Sequence, residues 1–118
     1  MFTAFKLAEP LAIGNTVVIK TPEQAPLSAM RLMELVGDIF PPGVLNVLSG
    51  GILCGKALST HPIGSKVTLV RSLPTGRAIQ RAAAETLKLT SFELGGKNAL
   101  IAYADADIAK LVDGLVSG

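Results

Sequence analysis

Glu93 is the residue of this chain whose surroundings point most directly to chemistry. It lies in the stretch 92–98, Phe-Glu-Leu-Gly-Gly-Lys-Asn, between an apolar segment and two glycines. A carboxylate requires solvation or a polar partner, and Gly95 and Gly96 place no side chains around it. We therefore expect an open cavity beside Glu93, in which the carboxylate can act as a base toward a bound molecule.

Two other groups of polar residues follow apolar segments in the same way. The first group, Lys20 and Glu23, follows a β-branched run at 16–19. The second group follows the apolar run at 66–70 and consists of Arg71, Ser72, Thr75 and Gly76. Ligands of open parallel sheets bind beyond the carboxyl ends of the strands. We therefore expect these groups and Glu93 to lie at one edge of a sheet.

The spacing of apolar residues predicts the elements that position these groups. It predicts strands at 15–20, 44–48, 66–70, 88–94 and 99–103, and helices at 26–38, 52–60, 75–87 and 107–116. Asp105 or Asp107 is available to cap the last helix. This alternation predicts an α/β fold with a mainly parallel sheet and helices on both of its faces. The G-x-G-x-x-G fingerprint is absent, so a standard phosphate-binding loop is not expected.

Composition limits the classes of protein that need to be considered. With 118 residues the chain is one domain or a piece of one. Apolar residues make up 49%, charged residues 17%, and the mean hydropathy is +0.50, so we expect the chain to need a partner surface. A membrane span is not expected, because prolines and glycines interrupt the longest uncharged run, 39–55.

Charge and cysteine content exclude further classes. The net charge is +2, basic residues are spread along the chain, and there is no Trp to stack on bases, so a nucleic-acid partner is not expected. Cys54 is the single cysteine, which excludes an internal disulfide and offers no metal spacing. Together with the lack of a visible signal peptide, this favours the cytoplasm. We interpret Cys54 as a packing residue and His61 as a helix-end residue rather than as catalytic groups.

Three longer stretches of the chain bear on its family: LAEPLAIGNTVVIKTPEQAPLSAMRLMELVGDIFPPGVLNVLSG, HPIGSKVTLVRSLPTGRAIQRAAAETLK and FELGGKNALIAYADADI. Together they resemble the cofactor domain of the aldehyde dehydrogenase superfamily. The likeness runs from Lys6 to Gly118, and the strings occur in the family's order, which makes it more specific than ELGGK alone. It implies an incomplete Rossmann-like domain, with a cofactor-binding part at about 1–92 and the start of a catalytic part at about 93–118.

By this resemblance, Lys20 and Glu23 match the pair that holds the adenosine ribose hydroxyls of the cofactor. An ammonium donates hydrogen bonds, and a carboxylate accepts them from both hydroxyls of a diol. A carboxylate also repels a 2′-phosphate, so Glu23 favours NAD, with NADP as the alternative. Without the resemblance, an exposed Lys and Glu that flank a turn would be the preferred explanation of the two residues.

Ser72, Thr75 and Gly76 match the family's turn beside the cofactor pyrophosphate, where a helix N-terminus offers free N–H groups. Without the resemblance, Ser72 is a plain N-cap. Arg71 departs from the family, which has glycine at this position. A side chain there would strain the backbone or crowd the phosphates at a cost of about 1 to 3 kcal/mol, so we expect weakened cofactor binding. The alternative is an arginine that turns outward and pairs with a phosphate oxygen.

Glu93 matches the family's general base, which activates water to hydrolyse a thioacyl intermediate. Leu94 beside it is expected to contact the cofactor, and Gly95 and Gly96 leave room for water and nicotinamide. Family members that pass the acyl group to coenzyme A typically lack this glutamate. The resemblance therefore implies release of a free carboxylic acid.

The family's nucleophilic cysteine and its oxyanion-stabilising asparagine have no counterpart in these residues. Without a thiolate no thiohemiacetal forms and no hydride is transferred, so we expect the chain alone to be inactive toward aldehydes. The complete enzyme is expected to oxidise an aldehyde and to form homo-oligomers. A degenerate nucleotide-binding or interaction module is the alternative, and Arg71 would then be a sign of relaxed constraint.

Overall fold

The fold is known from a computed structural model that describes residues 2–97 and 99–117. Its helices are α1 (Phe2–Ala12), α2 (Leu27–Val36), α3 (Ile52–Thr60), α4 (Leu73–Ala84) and α5 (Ile108–Ser117), and its strands are β1 (Val17–Lys20), β2 (Leu45–Leu48), β3 (Lys66–Arg71) and β4 (Leu89–Leu94). A 3-10 turn at Gly37–Ile39 follows α2. Asn98, the last residue of the stretch around Glu93, lies outside the described residues.

The strands form two parallel pairs. Val17–Lys20 lie opposite residues 45–48, and Lys66–Arg71 lie opposite residues 89–94. Each pair is a βαβ unit whose helix, α2 or α4, connects its strands, and α3 links the units and packs against α4. The predicted parallel α/β class is confirmed. The sheet is divided, however, because no strand among residues 2–97 and 99–117 joins the two pairs.

The predicted strand at 99–103 is wrong, since this segment has neither helix nor strand structure. Ile101 and Tyr103 are 79% and 77% exposed, and no strand in the described part of the chain pairs with the segment. Helix α1 was not predicted from the sequence. Pro10 lies inside it, which weakens a helical pattern, and Gly14 ends it with φ of +82°.

Helix α4 begins two residues before its predicted start and ends three residues before its predicted end, at Leu73 and Ala84. Ser72 has an extended backbone and Pro74 fits the first helical turn, which explains the early start. At the other end, Leu87 has φ of +53° and the Lys88 N–H donates to Ala83 O at 3.0 Å. This turn ends α4 and leads the chain into β4.

Lys88 is a buried cation that holds the start of β4. Its ammonium donates to the backbone oxygens of His61 and Gly64, just after α3. A buried charge is costly without such partners, and a cation near a helix C-terminus also interacts favourably with the helix dipole. Lys88 therefore connects the end of α3 to the strand that carries Glu93.

Helix α5 is capped as expected by one of the two candidate aspartates. Asp107 Oδ1 accepts from the N–H groups of Ala109 and Lys110 at 3.0 and 3.3 Å. These bonds satisfy donors that the first helical turn leaves free. Asp107 rather than Asp105 is thus the cap. Among the described residues, no helix is long and apolar enough to cross a bilayer.

The core is small for a chain of this length. Among the residues that the structure describes, the buried apolar side chains are Leu7, Ala29, Met33 and Ala83. The accessible surface is 9195 Å², whereas a folded monomer of 12.2 kDa exposes about 6,100 Å². The radius of gyration is 18.0 Å, against about 13 to 14 Å for a compact domain of this length. Much apolar surface is therefore exposed.

Thr21 offers a test of local packing directly after β1. Its side chain is 1% exposed, and Oγ1 has no hydrogen-bond partner among the described residues. Because an unpaired buried hydroxyl is destabilising, Thr21→Val is expected to increase the free energy of unfolding by about 1 kcal/mol. Thr21→Ser keeps the hydroxyl but removes a methyl group, so it should lower the free energy of unfolding by about 1 kcal/mol. Urea unfolding followed by circular dichroism measures both; a Val variant no more stable than the parent contradicts this account.

Candidate functional site

Lys20 and Glu23 form an ion pair at the carboxyl end of β1. Lys20 Nζ lies 3.6 Å from Glu23 Oε1, and their side chains are 17% and 42% exposed. Lys20 Nζ also donates to Thr21 O at 3.1 Å, so its stem and ammonium are held in place. The pair offers a fixed donor and an exposed acceptor side by side, which is the chemistry that a vicinal diol requires.

The first turn of α3 borders this pair. Its glycines, Gly51 and Gly55, were not predicted as site residues. A Cβ placed on Gly51 would lie 3.7 Å from Glu23 Oε1, and one placed on Gly55 would lie 3.8 Å from Lys20 Cδ. Gly51 is the N-cap of α3 and supplies no side-chain cap, so N–H groups of the first turn stay available. Glycines after a strand end were the available signal, because they permit close approach of a ligand.

Ser72 and Thr75 lie at the N-terminus of α4. Their hydroxyl oxygens are 3.1 Å apart, and Ser72 makes no side-chain cap to a backbone N–H. The Gly76 N–H bonds to Ser72 O at 3.1 Å. The first turn therefore presents two hydroxyls and the positive end of a helix dipole, an arrangement suited to an anion.

Gly76 and Leu94 bring α4 into contact with the end of β4. Gly76 is buried, and a Cβ placed there would lie 2.8 Å from Leu94 Cδ2. Glycine permits this close approach, because a Cβ at position 76 would force the end of the Leu94 side chain to shift. The contact sets the distance between the Ser72–Thr75 turn and the strand that carries Glu93.

Arg71 ends β3 in a regular strand conformation, opposite Leu94. Among the described residues, Leu87 is the one residue other than glycine that has a positive φ. The expectation that a side chain at position 71 strains the backbone is therefore wrong. Crowding of a neighbouring ligand remains as the physical reason for weakened binding, since the Arg71 side chain is exposed next to the N-terminus of α4.

Glu93 lies on an open surface rather than in the predicted cavity. Its side chain is 60% exposed, and Oε1 accepts a hydrogen bond from Lys6 Nζ at 3.1 Å. Apart from the adjoining residues of the chain, no atom of the described residues lies within 4 Å of where a Cβ on Gly95 or Gly96 would be placed. The glycines thus leave room, but nothing among the described residues encloses it. Lys6 was not predicted, because it is distant in sequence.

Cys54 and His61 behave as packing and helix-end residues. Cys54 is half-buried in the first turn of α3, and a Cβ on Gly50 would lie 2.8 Å from Cys54 Cβ. His61 directly follows α3, and its Nδ1 accepts from the Ile63 N–H at 3.4 Å. In the part of the chain that the structure describes, no group of three or more His, Cys, Asp or Glu residues could hold a metal ion.

The polar residues form two clusters, one in each βαβ unit. The first contains Lys20 and Glu23 beside α3, and the second contains Ser72 and Thr75 at the N-terminus of α4. Glu93, near the end of β4, pairs with Lys6 instead. Both clusters follow the carboxyl ends of parallel strands, and the packing of α3 against α4 connects the two units. The class is therefore a parallel α/β protein with polar side chains grouped after the carboxyl ends of its strands.

Comparison with known proteins identifies the family. A model of the aldehyde dehydrogenase family matches residues 1–118. Aldehyde dehydrogenase tropH of Talaromyces stipitatus is 55% identical over all of this chain, which covers 23% of that protein. The crystal structure of PnpE from Pseudomonas sp. WBC-3 is 43% identical with a TM-score of 0.92, over 99% of this chain and 24% of that one. A structure of PnpE with nicotinamide adenine dinucleotide has a TM-score of 0.88 at 43% identity, over 96% and 24% of the chains.

The chain belongs to the aldehyde dehydrogenase family. It spans about a quarter of the length of these relatives. The high TM-scores show that these residues adopt the conformation that the corresponding segment has within much longer chains.

Proposed function

We propose that these residues form the cofactor-binding and water-activating part of an NAD-dependent aldehyde dehydrogenase, which oxidises an aldehyde to a carboxylic acid. The observation that carries this proposal is the Lys20–Glu23 pair beside the N-terminus of α3, in a chain of this family. NADP is the alternative cofactor. Residues 1–92 would form the Rossmann-like cofactor-binding part, and residues 93–118 would begin the catalytic part.

Lys20 and Glu23 would bind the adenosine ribose of the cofactor. The Glu23 carboxylate accepts hydrogen bonds from the ribose hydroxyls, and the Lys20 ammonium donates to one of them. Gly51 and Gly55 carry no side chains, which allows the nucleotide to approach the backbone of α3 beside Lys20 and Glu23. Because a 2′-phosphate would lie against the Glu23 carboxylate, the same residue favours NAD over NADP.

Ser72, Thr75 and Gly76 would bind the pyrophosphate at the N-terminus of α4. The free N–H groups of the first turn and the two hydroxyls donate to phosphate oxygens. Leu94, which packs on Gly76, would provide an apolar contact to the nicotinamide side of the cofactor. NAD, when bound, supplies the hydride acceptor of the oxidation.

Glu93 would act as the general base. Its carboxylate would take a proton from the water that attacks the thioacyl carbonyl, so that a free acid is released. The nucleophilic thiol would come from outside these residues, because Cys54, which lies in α3, packs against Gly50. The chain by itself is therefore expected to oxidise no aldehyde.

Arg71 favours a second candidate function. An exposed arginine next to the N-terminus of α4 narrows the space for a pyrophosphate, and apolar side chains are widely exposed. A degenerate nucleotide-binding or interaction module without catalysis would tolerate both features.

For the complete enzyme we propose a homo-oligomer in the cytoplasm, with an aldehyde as its small-molecule substrate and neither nucleic acid nor membrane as a partner.

Calorimetric titration of NAD into the purified chain tests the cofactor assignment. The chain is expected to bind NAD, and Glu23→Gln should weaken binding about tenfold, since one charge-assisted hydrogen bond contributes about 1.5 to 3 kcal/mol. Glu34→Gln is the matched control, because Glu34 is likewise an exposed glutamate in an i,i+3 ion pair, with Arg31 at 2.6 Å. Equal losses in both variants, or no NAD binding, would contradict the assignment. Adding aldehydes to the mixture should produce no NADH.

A further inference from the structure

Lys6 of α1 forms a contact with Glu93 that the proposed function leaves unexplained. Lys6 Nζ donates to Glu93 Oε1 at 3.1 Å, although the two residues are 87 positions apart. The other ion pairs of the described residues join positions i and i+3. A pair that spans most of the chain depends on how the elements fold together, whereas local backbone geometry is sufficient to form the others.

The pair connects the two halves of the fold. Helix α1 packs against β1, whereas Glu93 belongs to β4 in the other strand pair. The Lys6 side chain is 24% exposed and the Glu93 side chain is 60% exposed. A partly covered lysine keeps fewer conformations than one in water, so α1 determines where the ammonium lies and the carboxylate adapts to it.

Alternation along β4 places Glu93 on the face away from α4. Leu94 contacts α4 at Gly76, and neighbouring side chains of a strand point to opposite faces. Among the described residues, Lys6 is the cation that pairs with Glu93 there. Without it, an exposed glutamate would populate several rotamers.

We propose that Lys6 is a positioning residue for Glu93 and acts without touching the substrate. The proposal rests on the proposed function, because it takes Glu93 as the general base. The ammonium holds Oε1 and leaves Oε2 to accept the proton of the attacking water. Hydrolysis then depends on Lys6, because a base accelerates proton transfer only in the orientation that reaches the water.

Carbodiimide coupling tests the geometry on the chain itself. This reagent joins an amine to a carboxylate when the two are in contact, so a Lys6–Glu93 amide is expected in the monomer fraction by mass spectrometry. Lys110 and Asp107, whose Nζ and Oδ2 are 3.7 Å apart in a local pair, are the matched control. A Lys110–Asp107 amide without a Lys6–Glu93 amide would overturn the proposal.

A graft tests the role of Lys6 in the reaction. In the graft, this chain replaces the matching segment of the Talaromyces stipitatus relative. Lys6→Met is expected to slow steady-state aldehyde oxidation about tenfold and to leave the first-turnover burst of NADH unchanged, because it misorients the base of the hydrolysis step. Lys6→Arg keeps the charge and should lose at most about threefold. Lys110→Met, the control, should match the parent graft in both phases.

Glu93→Gln separates a failure of this proposal from a failure of the proposed function. If Glu93→Gln slows turnover and Lys6→Met does not, Glu93 is the base and Lys6 does not position it. If neither variant slows turnover, the proposed function itself fails. When Glu93→Gln is already present, adding Lys6→Met should have no further effect on turnover, and a further loss would overturn the positioning role.

Discussion

In the graft, Glu93→Gln is expected to lower steady-state aldehyde oxidation by about a hundredfold or more, as loss of a general base typically does. The amide has nearly the same shape as the carboxylate but accepts no proton from water. Thiol attack and hydride transfer precede this step, so the first-turnover burst of NADH should persist. Stopped-flow absorbance of NADH resolves the burst from the steady state.

Glu85→Gln is the matched control for this change. Glu85 is an exposed glutamate at the end of α4 and belongs to none of the ion pairs of the described residues. Its variant should match the parent graft in both phases. A Glu93→Gln variant that loses the burst together with the steady state would instead assign Glu93 to the acylation step, and one that loses neither would remove it from the site.

Arg71→Gly is expected to strengthen NAD binding about tenfold, which corresponds to about 1.4 kcal/mol of relieved crowding. Because Arg71 has a regular strand backbone, removal of the side chain is sufficient and glycine is not required for its φ. Arg71→Ala should therefore give most of the same gain. Calorimetric titration of NAD into the three chains measures the effect.

Arg77→Ala controls for the loss of positive charge in this comparison. Arg77 is exposed on α4, beyond the Ser72–Thr75 turn, and its removal changes the net charge by the same amount as Arg71→Ala. It should leave NAD binding nearly unchanged. Weaker binding by Arg71→Gly would show that the arginine pairs with a phosphate oxygen, and equal binding would show that the arginine does not crowd the cofactor.

The elements that carry the site could be predicted from the sequence, because local apolar periodicity determines them. The β-branched run before Lys20 and the apolar run before Arg71 are strands, and Ile52–Thr60 is a helix as predicted. Periodicity fails where a segment finds no partner. The segment 99–103 has an apolar pattern, but no strand of the described residues 2–97 and 99–117 lies beside it to form a ladder.

The contacts between elements could not be predicted in the same way. The Lys6–Glu93 pair and the Lys88 contacts with residues 61 and 64 join residues that are far apart in the sequence. No local signal in the sequence encodes such contacts. The resemblance indicated which residue types matter, whereas tertiary packing determined that Glu93 is paired and exposed rather than enclosed.

The central claim is that these residues supply the cofactor site and the base of an aldehyde dehydrogenase, and the parent graft tests it most directly. The measurement is the release of carboxylic acid and NADH from an aldehyde at saturating NAD. We predict both products in equal amounts, at a rate within about tenfold of the unmodified relative, since a shift in orientation costs rate without removing the chemistry. A graft that assembles like the relative and binds NAD, but releases no acid, would contradict the account.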